Sequence, residues 1–158
     1  MIFSRIVAGL FALLLSCSLS MADMPVLNEF VVEGDYEDVR FDLDDAIVSR
    51  GLSVDHISHV SDMLQRTADV VDGARQIYKR GEQFQFCSAI LSRAAMQADP
   101  ANISFCPYMI FLYERVDEPG RIHLGFRRLN ERGNASSRKA LMAVNSLLMG
   151  IIQEVSGN

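Results

Sequence analysis

The sequence predicts an α+β domain in which helices pack on an antiparallel or mixed sheet. Three observations lead there. Segments of strand and helix periodicity alternate along the chain. A strand-turn-strand pattern around Pro119-Gly120 closes as a hairpin, which a doubly wound parallel sheet does not require. The chain then ends on a long amphipathic helix.

The run 26–33 carries Phe30, Val31 and Val32 and reads as a strand stopped by Gly34-Asp35. Asp35 can cap the following helix, where Tyr36, Val39, Leu43, Ala46, Ile47 and Arg50 recur at three-to-four spacing before Gly51 supplies a left-handed end. The run 52–60 alternates loosely, as a short strand. Ser61 then opens a second helix with the stripe Leu64, Thr67, Val71, Ala74 and Tyr78, Gly73 being its weak point. A brief strand is expected over 84–87. Ser88 caps a helix over 89–98, which stops at Asp99-Pro100 because a residue before proline avoids the helical region.

The run 107–114 is apolar on both alternating faces, with Tyr108, Ile110 and Leu112 on one and Met109, Phe111 and Tyr113 on the other. Such a strand needs cover on both sides, as a central strand or one paired in a dimer. Beyond Pro119-Gly120, Ile122, Leu124 and Phe126 form one apolar face, and His123, Gly125 and Arg127 are expected to point outward. Ser137 opens the last helix, whose stripe is Leu141, Val144, Leu148, Ile151, Ile152 and Val155.

With 158 residues and 49% hydrophobic content, the chain is long and apolar enough for one folded domain. A formal net charge of -5 and scattered Lys and Arg argue against nucleic acid as a partner, since phosphate neutralisation needs clustered cations. No Ser-His-Asp signature, metalloprotease helix, phosphate loop or dinucleotide fingerprint points to catalysis.

The N-terminus has the layout of a signal peptide. Arg5 precedes an unbroken apolar run over 6–15, which as helix rises about 15 Å, half a hydrocarbon core. Ser20-Met21-Ala22 places small residues where a signal peptidase reads, so 1–22 is expected to be removed and 23–158 to form a single periplasmic or secreted domain with no transmembrane span. Leu14-Leu15-Ser16-Cys17 offers the alternative of a lipoprotein anchored through Cys17. Removal of 1–22 takes only Arg5 from the charged residues, and leaves Cys87 and Cys106.

Two cysteines in an oxidising compartment read first as one disulfide, worth about 3 kcal/mol for a loop of this length. Other chemistries stay open. Cys87 lies just before a predicted helix, where the dipole favours a thiolate. With His59 the pair offers two thiolates and one imidazole, a zinc or copper set with an open position. Thiol-disulfide exchange is a further option, although a spacing of nineteen lacks the compact redox motif, and free thiols are another. Arg93 and Arg128 could hold an anion together or form ordinary surface ion pairs. Tyr108 reads as a core residue.

The strings Phe86-Cys87-Ser88-Ala89, Leu91-Ser92-Arg93, Ala98-Asp99-Pro100, Asn102-Ile103 and Phe105-Cys106-Pro107-Tyr108 resemble exported bacterial members of the domain of unknown function 302 family. Ile57-Ser58-His59 is similar to that family's Ile-Asp-His stretch, with Ser58 standing at the acidic position, and the likeness runs through Tyr113-Glu114 to cover most of 24–130. The resemblance implies a compact α+β domain with an antiparallel sheet, often dimeric, and no established activity. The functional expectation is therefore an exported, homodimeric domain that binds a ligand, metal or partner around Cys87 and Cys106, with His59, Arg93, Tyr108 and Arg128 as neighbours. A thiol-disulfide redox protein and a structural subunit with a stabilising disulfide and no small-molecule site are the alternatives.

Overall fold

The computed structural model describes residues 26–157, so the signal peptide expected over 1–22, the expected cleavage after Ala22 and Cys17 lie outside the described residues. Local chemistry sets the elements in order. Strand β1 (Leu27–Glu33) ends at Gly34, and Asp35 caps α1 (Tyr36–Val48) by accepting a 2.8 Å hydrogen bond from Glu37 N. Strand β2 (Val54–His59) leads directly into a short helix, α2 (Val60–Arg66), followed by a 3-10 turn at Ala68–Val70. Strand β3 (Tyr78–Phe86) precedes α3 (Ala89–Ala98), whose cap is Ser88, and a 3-10 turn at Pro100–Phe105. Strands β4 (Tyr108–Arg115) and β5 (Arg121–Arg127) form the hairpin, and α4 (Ala135–Ser156) ends at Gly157 in the left-handed region, φ 69°.

The five strands make one antiparallel sheet in the order β1-β5-β4-β3-β2, an α+β fold. Helices α1, α3 and α4 cover one face. There Phe84, Phe86, Ile110, Leu112, Ile122, Leu124 and Phe126 meet Leu43 and Ile47 of α1 and Leu141, Leu148 and Ile151 of α4, all of them fully buried. Burying side chains of this size contributes about 1.5–3 kcal/mol each, the main source of the fold's stability. Two polar side chains fix the remaining connections. Asn145 of α4 accepts from Leu129 N at 2.8 Å and donates to Leu129 O at 3.0 Å, while Asn102 donates to Ala95 O and Ser137 Oγ, both at 2.8 Å. Among the described residues no helix is long and apolar enough to cross a membrane.

Four local expectations are corrected. Helix α2 stops at Arg66, where the Thr67 hydroxyl folds back onto Met63 O and Leu64 O, and Tyr78 opens β3 instead of closing a helical stripe. Strand β3 is nine residues long, far more than the brief run over 84–87. Helix α4 begins at Ala135 with Asn134 as cap, and Ser137, expected to open it, is buried. Helix α1 ends at Val48, so Arg50 leaves the stripe and reaches Gly150 O and Glu154 of α4.

Candidate functional site

The disulfide is built by the ends of β3 and β4. Phe86 pairs with Tyr108 in the ladder, and Cys87 and Cys106 lie one and two residues beyond these, with Cα atoms 6.4 Å apart and their sulfurs joined. Ser92, on the first turns of α3, sits 3.7 Å from Cys106 Sγ and 2.9 Å from the Tyr108 hydroxyl. Tyr108 is buried, as expected of a core residue, and burial raises its phenol above the usual range against the opposing effect of Ser92.

His59 lies apart from the cysteines. His59 pairs with Glu82 in the β2–β3 ladder, five residues before Cys87, which over an extended strand is about 16 Å. The three-ligand set of Cys87, Cys106 and His59 is thus not assembled, and among the described residues no group of three His, Cys, Asp or Glu is placed to hold a metal ion. Arg93 is exposed on α3, and Arg128 pairs with Glu131.

A denser polar cluster surrounds His59. Glu82, on the helix-covered face, receives Arg40 Nε at 2.7 Å and the Tyr36 hydroxyl at 3.4 Å, and its second oxygen lies 2.7 Å from His59 Nδ1. Burial, followed by the Glu82 charge and hydrogen bond, pushes the Tyr36 phenol far above its ordinary range. Next to it, Glu114 is buried and accepts from Lys79 Nζ and Gly120 N, both at 2.9 Å. Burial raises its carboxyl, but the two donors and the charges of Lys79 and Arg80 outweigh that and hold it below the usual carboxylate range.

The opposite, open face of the sheet carries a second cluster that sequence spacing gave no means of finding. His123 was expected to point outward, yet it is 9% exposed. Its ring stacks on Tyr113 with centroids 4.5 Å apart, Nδ1 is 2.7 Å from Glu29 Oε1, and Nε2 is 3.3 Å from Glu118 Oε2. The Tyr113 hydroxyl donates to the same Glu29 oxygen at 2.8 Å, and burial together with Glu29 raises this phenol. Phe111 stacks on Tyr113 at 5.9 Å and Tyr78 meets it edge-on at 5.2 Å, so a row of rings crosses β3, β4 and β5. Gly125, also buried, lies beneath Phe111: a Cβ there would fall 2.7 Å from Phe111 Cζ and 2.1 Å from Asn28 O.

No protein-family model matches the chain, and no curated protein matches it by sequence. Among solved structures, the crystal structure of an uncharacterized conserved protein DUF302 from Bacillus stearothermophilus superposes with a TM-score of 0.69, over 84% of this chain and 99% of that one. The fold is that of a DUF302 protein. The two sequences are 12% identical, so what the chains share is the DUF302 architecture. Within it, the disulfide, the Glu82 cluster and the ring row are properties of this chain's own side chains.

Proposed function

We propose that the protein is an exported binding domain that works as a homodimer, with the open face of the sheet packing on a second copy and the Cys87-Cys106 bridge serving as a staple. The observation that carries this reading is the central strand. One face of β4 is buried under helices, and the other presents Met109, Phe111 and Tyr113, half-buried, with no α1, α3 or α4 above them. A two-fold interface needs one patch that complements itself. The open face carries acidic Glu29 and Glu33 on β1 and basic Arg121 and Arg127 on β5, both signs on one surface.

Analytical ultracentrifugation of the mature chain at about 50 µM should give a dimer, and Phe111→Glu should weaken it at least tenfold, the expected loss at a central apolar contact. A wild-type protein that sediments only as monomer overturns the reading. Export rests on the apolar run over 6–15 and on Ser20-Met21-Ala22. Intact-mass measurement of the secreted protein should find a chain starting at Asp23. A lipid-modified Cys17 would replace soluble export by anchoring, and a retained Met1 would exclude export altogether.

A further inference from the structure

Helix α2 and the 3-10 turn after it bury no side chain, although the segment is rich in apolar residues. Leu64, Val71 and Ile77 remain 38%, 56% and 50% exposed. Between them lies a half-open cavity of about 440 Å³, larger than the 270 Å³ hollow beside Phe111 and the 200 Å³ cleft at Glu82. Small-ligand sites fall between about 300 and 1,000 Å³ and are mostly apolar with a few placed polar groups. The wall here is Leu64, Ala68, Val71, Ala74, Ile77 and the ring of Tyr78, and Gln76 is held at one end by donating to Tyr78 O at 3.1 Å.

Arg75, in the loop before β3, also lines this cavity, and unlike Arg80, Arg115 and Arg121 of the sheet it forms no ion pair with any described residue. An uncommitted guanidinium beside an apolar cavity suits a carboxylate head joined to a hydrocarbon tail. Asp72, which lines the same site, repels any anion and repels a phosphate dianion more than a singly charged head, so of the two it leaves the carboxylate favoured.

We infer that this cavity binds a medium-chain fatty acid, with the tail among Leu64, Val71, Ile77 and Tyr78 and the carboxylate on Arg75. The site adjoins the dimer face proposed above through Tyr78, whose ring also meets Tyr113, but the proposal does not depend on dimerisation. Decanoate, octanoate and decanol, each below its micelle concentration, are titrated into the mature protein and followed by backbone amide shifts. Saturable shifts at Leu64, Val71 and Ile77 are expected, with affinity falling about fourfold per methylene removed. Decanoate should bind more tightly than decanol, and Arg75→Ala should erase that preference. Val71→Asp, at an exposed position, should abolish decanoate binding while leaving the circular dichroism unchanged. If that variant does not fold, Leu64→Asp serves the same purpose. A lack of saturable shifts, affinity independent of chain length, or shifts centred on Phe111 and Tyr113 would each overturn the proposal.

Discussion

Gly125→Ala is expected to destabilise the protein by more than about 3 kcal/mol, beyond the ordinary cost of an overpacked site. The added Cβ would stand 2.1 Å from Asn28 O and 2.9 Å from Glu29 Cα, both main-chain atoms of the paired strand β1, and 2.7 Å from the Phe111 ring. A ring can turn aside, but a hydrogen-bonded backbone cannot yield without parting β1 from β5. Gly81→Ala is the matched control, since its Cβ would meet nothing closer than the Tyr78 ring at 3.5 Å, an ordinary contact. That control should change stability by less than about 1 kcal/mol. Urea unfolding followed by circular dichroism measures both, and equal midpoints for the two variants would refute the close approach of β1 to Gly125.

Loss of the bridge should have a comparable effect. Cys87→Ser, Cys106→Ser and the double variant are each expected to lose about 3 kcal/mol, because any of the three opens the same loop, with a sequence separation of 19. For a chain of this size that lowers the melting temperature by about 10 °C. Calorimetry of the three variants and of the reduced wild type should give four matching values. Undiminished stability in the serine variants would remove the staple role and favour thiol-disulfide exchange, for which Cys87 has a fitting position just ahead of α3.

The strand and helix order, the caps at Asp35 and Ser88 and the central place of β4 were legible because each is written in short-range chemistry: a side chain that reaches the next turn, or a period that repeats within ten residues. Strand β3 was largely hidden. Lys79, Arg80, Glu82, Gln83 and Gln85 give it a polar composition, which the sheet tolerates because Glu82 and Lys79 find partners on α1 and β4 and the glutamines sit on the open face. The bond between the cysteines could be expected from their even number and from the export that the N-terminal pattern predicts, whereas the position of His59 could not. Its neighbour Glu82 is chosen by β2–β3 register, and that register is set by the burial of Ile57 against Phe84, not by spacing along the chain. The same holds for His123, whose partner Glu29 is 94 residues away.

The bridge also has a consequence for where the sheet can breathe. It ties the β3–β4 ladder immediately past the Phe86 and Tyr108 rung, while at the far end the Tyr78 and Arg115 rung is held by hydrogen bonds, the Tyr78–Tyr113 ring contact and the neighbouring Lys79–Glu114 pair, without a covalent tie, and adjoins a register shift before Arg80. A zipper fixed at one end unfastens from the other, so low-energy fraying begins at Tyr78. That residue is also a wall of the cavity under α2, which makes the loosest rung of the ladder the one a guest would have to displace. Entry to the cavity and retention of the core are thereby placed at opposite ends of the same pair of strands.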